Sequence, residues 1–120
     1  MAFDLKGIKP NNYDGEWIRF NVWAWHLLWR EIQREIPEAL EVENWFSNRG
    51  EAVSKELAET IAKRIENLGT ERFATNAEIS HGTEVSVQSG VGDRAFVAGL
   101  QFEMPALVKF LRNCNGFYIT

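Results

Sequence analysis

Between Asn21 and Arg30 the chain reads Asn-Val-Trp-Ala-Trp-His-Leu-Leu-Trp-Arg, so three of its five tryptophans fall within ten residues. So much aromatic surface in so short a stretch limits what can form there. The segment must be an element with one broad buried side, or it must leave rings open for a partner. Val22, Trp25, Trp29, Ile32 and Ile36 recur at alternating spacings of four and three, which predicts a helix. Asn21 is suited to cap it. Pro37 ends it, because the residue before a proline is pushed out of helical geometry. Trp23 and Leu27 lie beside one edge of the stripe and Leu28 beside the other, leaving Arg30 and Arg34 for the polar side.

A second helix is expected from Ser54, a capping residue, to Leu68. Its narrow apolar face is Leu57, Ala58, Ile61, Ala62, Ile65 and Leu68, and Gly69 suits its end. Elsewhere the periodicity changes. Residues 2–6 read as a short edge strand ended by Gly7, and Lys9 to Gly15 as a loop dense in turn residues. Thr83, Val85 and Val87 alternate with polar residues, and Phe96, Ala98, Leu100 and Phe102 alternate again after Ser89-Gly-Val-Gly-Asp93. That pattern predicts a hairpin with a five-residue loop. Pro105 fits the first turn of a third helix carrying Leu107, Val108, Phe110 and Leu111, and Phe117 to Ile119 a last strand.

The chain has 120 residues, 45% of them hydrophobic and 25% charged. These are the length and composition of one globular domain, most of which run to about 100–150 residues. The expected fold is a single α+β domain over residues 1–120, about three helices packed on a small, mainly antiparallel sheet. The net charge of −4 and the scattered Lys and Arg argue against a nucleic-acid partner. One cysteine, Cys114, forbids an intramolecular disulfide and suits a reducing compartment. No apolar run resembles a signal peptide or a membrane span, so a soluble, cytoplasmic protein with no membrane partner is expected.

Chemical signatures are sparse. Neither His26 nor His81 has a second His or a Cys within four residues, whereas metal sites need clustered ligands, so no metal and no cofactor are expected. His26 is expected to be a hydrogen-bonded or rim residue and His81 a turn residue. A His81–Cys114 nucleophilic pair is rejected, since Cys114 sits near a helix C-terminus where the dipole disfavours a thiolate. Gly90-Val-Gly-Asp-Arg-Ala95 spells G-x-G-x-x-A, but a dinucleotide fingerprint needs a following helix and parallel strand, so it reads as a glycine hairpin loop. Glu35, Glu38, Glu41 and Glu43 form an acidic run that reads as solvated surface, suited to a basic protein partner.

Trp25 and Trp29 keep the stripe's spacing and are expected in the core. Trp23 lies off it. A partner surface is therefore expected at Trp17, Trp23 and the Trp45-Phe46 pair, with His26 beside them.

Phe20-Asn-Val-Trp-Ala-Trp25, followed by Leu28-Trp29, and Phe110-Leu-Arg-Asn-Cys-Asn-Gly-Phe117 resemble a loosely defined group of small uncharacterised bacterial and phage-type proteins. Those proteins carry an N-V-W-x-W helix early and a phrase like F-L-R-x-C-x-G-F at the end, with a counterpart of the Ser54–Leu68 helix between. Many members hold Cys-x-x-Cys-like pairs with a His-Gly-Thr-Gly phrase. This chain keeps Ser80-His-Gly-Thr83 without a neighbouring cysteine, so no metal ligand carries over. The resemblance implies an accessory gene of mobile or phage-related DNA, and the group has no established activity to carry over.

The expected function is that of a non-catalytic adaptor or inhibitor, with a protein partner or self-association as a homodimer. The rival is a domain holding an apolar or cationic small molecule in an aromatic cleft between helix and sheet. An enzyme using His26 with a carboxylate ranks third, because no positioned nucleophile or base is visible.

Overall fold

The computed structural model describes residues 2–47, 49–89 and 95–120; for residues 86–89, 95–99, 101 and 102 it describes the backbone alone. Among the described residues there are four strands, β1 (Ala2–Gly7), β2 (Trp17–Asn21), β3 (Glu51–Val53) and β4 (Phe117–Ile119). There are four helices, α1 (Val22–Glu35), α2 (Lys55–Leu68), α3 (Thr70–Ser89) and α4 (Ala95–Asn113). The fold is α+β as expected, with one helix more than the three read from the sequence.

Phe3 and Leu5 alternate with Asp4 and Lys6, and β1 buries the first pair while turning the second to the opposite face. It pairs antiparallel with β2 on one side and with β4 on the other, and β4 pairs antiparallel with β3. The resulting order is β2-β1-β4-β3. β1 is therefore a central strand and not the edge strand expected from residues 2–6. Its alternation records that one face is buried; it carries no record of how many strands flank it. Phe3, Leu5, Phe20, Val53, Phe117 and Ile119 face the core and the helices. Trp17, Lys6, Tyr118 and Ala52, cross-strand neighbours in one row, face outward.

The first two helices follow the sequence closely. Asn21 caps α1, its side-chain oxygen accepting from the N–H of Trp23 at 3.1 Å and of Ala24 at 2.8 Å. Ile36 leaves helical geometry ahead of Pro37, and a 3-10 turn (Pro37–Glu41) follows. Ser54 caps α2 through the N–H of Leu57. At Gly69 the backbone takes φ +93°, which a residue with a Cβ rarely adopts, and this lets α3 start at once.

The hairpin expected over 83–102 is absent: residues 83–89 lie in α3 and residues 95–102 in α4. The Ser89-Gly-Val-Gly-Asp93 turn and the G-x-G-x-x-A phrase fall largely on residues 90–94, outside the described residues. Phe73, Ala77, His81 and Val85 are spaced by four and all point into the structure, with Ala74 beside them. That is a helical stripe, but its alanines are small and its third member is polar, so the local alternation of Val85 and Val87 was the stronger pattern. In α4 the buried residues Leu100, Met104, Leu107 and Leu111 also keep helical spacing, and buried Cys114 follows just past its end. Pro105 is interior to that helix, not in its first turn. It sits on the exposed side, where the ring costs no core packing, although the carbonyl four residues earlier loses its usual donor.

Candidate functional site: an aromatic cluster around His26

Trp23 and His26 are three residues apart on α1 and so share a side of the helix. The turn after Val42 brings Trp45 and Phe46 onto that side. The centroid of the His26 ring lies 5.1 Å from Phe46, 5.4 Å from Trp45 and 6.2 Å from Trp23. Phe46 also meets Trp45, Trp23 and Phe3 at 5.3, 6.3 and 5.3 Å. Edge-on and tilted pairs at these separations are the favourable geometries for aromatic rings. Trp25, buried beneath, donates its indole N–H to the carbonyl of Trp45 at 2.7 Å, which ties the turn to α1. The outer rim stays open: Phe46 is 41% exposed, and Trp23 and Trp45 are half-buried.

His26 is the polar atom-bearer at the centre of this cluster. It is only 6% exposed, and its Nδ1 is buried with no hydrogen-bond partner among the described residues. It is thus not the rim residue expected, and its Nδ1 is not hydrogen-bonded, because the 45–46 turn covers the ring. Burial pushes its pKa below the usual histidine value; the Glu84 carboxylate opposes the shift, and the neighbouring Arg30 guanidinium and His81 reinforce it. Trp25 and Trp29 are core residues at 1% exposure each, as their spacing predicts.

Four of the five expected surface residues, Trp23, His26, Trp45 and Phe46, therefore come together. Trp17 does not. It stands on the outer sheet face, 53% exposed, donating from its indole nitrogen to Asp4 at 3.0 Å. Arg19 pairs with the same carboxylate at 2.8 Å, and its guanidinium lies 5.8 Å from the Trp17 ring centroid. The Arg19 hydrogen bond holds the Asp4 carboxyl below its usual range against the effect of burial.

A second polar cluster had no signal in the sequence. Glu31, 0% exposed, accepts from Nε of Arg34 at 2.8 Å and from a second guanidinium nitrogen, and lies 3.1 Å from Nε2 of His81. His81 is thus a helical residue that joins α3 to α1, not the turn residue expected. Fifty positions separate it from Glu31, and only the helical course of α3 brings them together. Cys114 has a different neighbour, the carbonyl of Leu111 at 3.6 Å, and burial pushes its thiol up, away from nucleophilic character. Of the acidic run, Glu38, Glu41 and Glu43 are exposed, whereas Glu35 is half-buried and pairs with Arg34 at 2.9 Å and Arg64 at 3.8 Å.

Among the described residues no group of His, Cys, Asp and Glu is placed to hold a metal ion, and no helix is long and apolar enough to cross a membrane. The fold and the cluster together define a two-layer α+β domain with an aromatic surface patch. The chain matches no protein-family model, no curated protein and no solved structure.

Proposed function

We propose that the protein is a small non-catalytic interaction protein, an adaptor or inhibitor of mobile-element or phage-related origin that works in the cytoplasm. The observation that carries this reading is the convergence of Trp23, Trp45 and Phe46 on an imidazole whose Nδ1 is buried without a partner. Half-buried tryptophans beside an exposed aromatic are the kind of side chains enriched at interface hot spots. A partner side chain seated on Phe46 would extend the ring cluster. Exposed Glu38, Glu41 and Glu43, in the segment leading to that patch, favour a protein with a basic rim over nucleic acid. The second form of this reading is a homodimer through the same rings.

The test is an affinity capture from bacterial lysate with wild-type protein, Trp23→Ala and Phe46→Ala, with light scattering for self-association and circular dichroism for folding. Each substitution is expected to weaken the complex or the dimer by about 2–4 kcal/mol. Unchanged capture and unchanged oligomeric state in both folded variants would refute the surface assignment.

The small-ligand reading draws support from another part of the molecule, a cleft between β2 and α4 beside Trp17.

A further inference from the structure

That cleft has a volume of about 420 Å³ and is lined by Tyr13, Asp14, Trp17, Ile18, Pro105 and Lys109, among others. Small-molecule sites typically span roughly 300–1,000 Å³, so the space suits a compact ligand. Its walls come from three elements that are locked to one another. The turn carrying Tyr13 and Asp14 is latched to the end of α4: the N–H of Lys9 donates to the carbonyl of Cys114 at 3.1 Å, and that of Asn11 to Asn113 at 2.8 Å. Asn12 adds a side-chain bond to Asn113 at 3.1 Å. The seam is so close that a Cβ on Gly15 would lie 2.1 Å from the Asn113 carbonyl oxygen. Trp17, on the opposite wall, is held by its bond to Asp4. The backbone walls of the cleft and the Trp17 ring are therefore tied to their neighbours, while Tyr13, Asp14 and Lys109 project into solvent.

Its chemistry has two signs. Asp14 and Lys109 both line the cleft, and neither side chain has an ion pair or hydrogen bond with another described residue. Tyr13, 84% exposed, and Trp17, whose ring also carries the Arg19 guanidinium at 5.8 Å from its centroid, add ring surface, which attracts ammonium groups through the aromatic quadrupole. Ile18 and Pro105 supply apolar surface without a donor in the proline. A purely cationic ligand would be drawn to the rings and Asp14 but repelled by Lys109. A purely anionic one would meet Asp14.

We propose that this cleft binds a small zwitterion, with a methylated ammonium group on Tyr13 and Trp17 beside Asp14 and a carboxylate on Lys109. The inference rests on the small-ligand reading and is independent of the Trp23–Phe46 surface.

The experiment is a titration of the protein with glycine betaine, followed by calorimetry and by the indole N–H resonance of Trp17. Tetramethylammonium and acetate serve as the cation-only and anion-only probes. Betaine is expected to shift the Trp17 resonance and to bind more tightly than either fragment. Trp17→Leu and Asp14→Asn should each weaken it about tenfold, while Lys109→Met should remove the preference for betaine over tetramethylammonium. Lys109 and Asp14 are exposed, so these two variants are expected to stay folded. Equal binding of tetramethylammonium and betaine by the wild type would overturn the zwitterion and leave a cation site. No shift of Trp17 with any probe would overturn both the zwitterion and the small-ligand reading of this cleft.

Discussion

The two ends of α1 each hold an imidazole, one buried and one half-buried, and they do so in opposite ways. Near the start of the helix, His26 is enclosed by Trp23, Trp45 and Phe46 with its Nδ1 unpaired. Toward the other end, His81 of α3 docks on Glu31, which Arg34 grips from the same helix. A buried polar group with partners becomes a joint, here between two helices. One without a partner remains a cost of about 1–3 kcal/mol that the folded protein carries until something relieves it. The paired end joins α1 to α3, and the other end leaves an imidazole nitrogen buried without a partner among the described residues.

The largest effect expected from this contrast is at Arg34. Arg34→Met would leave the buried Glu31 carboxylate with His81 alone, and should cost about 3 kcal/mol in urea unfolding. Adding Glu31→Met to that variant should restore much of the loss, because an apolar pair replaces a stranded charge. A cost below about 1 kcal/mol for the single variant would mean that Glu31 reaches water, and the contrast between the two ends would collapse.

His26→Phe probes the other end. It keeps a ring in the cage and deletes the unpaired nitrogen, so it should raise stability by about 1–2 kcal/mol. A net loss would show that Nδ1 has a partner, such as a bound water.

The same variant should also flatten the acid limb of the stability curve. The folded-state pKa of His26 is lowered from 6.5, so as pH falls the unfolded chain takes up the proton first. Its contribution is therefore intact above about 6.5 and is lost as pH falls through that value toward the folded-state pKa. Subtracting the His26→Phe curve from the wild type, over a pH series of thermal melts, isolates this loss. A difference that does not change with pH would mean His26 titrates alike in both states.

The smallest effect is the reference for the paired end. Arg112 meets Glu66 on the surface, with both side chains more than two-fifths exposed. Arg112→Ala should change stability by no more than about 0.5 kcal/mol, because water screens the pair. A loss approaching that of Arg34→Met would show that geometry, and not burial, sets the strength of ion pairs in this protein.

The helices α1 and α2 were legible because their determinants are local. Asn21 and Ser54 cap, Pro37 stops, and each stripe is made of large side chains at helical spacing. α3 was not, since Ala74, Ala77 and His81 in its buried stripe carry little hydrophobic signal, and a run of β-branched residues happens to alternate beside them. Pro105 misplaced the start of α4 for a related reason. A proline is read as a boundary, yet on the exposed side of a helix its cost is small enough for surrounding packing to override. The aromatic surface was legible in part. Trp23 stood out by lying off the stripe and Trp45-Phe46 by being apolar in an acidic segment, but their meeting around His26 was not. Trp17 showed the same excess of aromatic surface and belongs elsewhere, on the outer face of the sheet.

By itself, then, the chain's spelling determined the start and end of α1, the burial of Trp25 and Trp29, the face of α2 and the α+β class. Those properties depend on groups within a turn or two of each other, whose contacts recur wherever the same residues do. Only the tertiary structure decided that β1 is central, that His81 serves Glu31, that His26 lies dry among rings, and that Asp14 and Lys109 share a cleft. Each of these joins residues tens of positions apart. Their proximity is set by which elements pack together, a choice made by the whole core and not by any one segment.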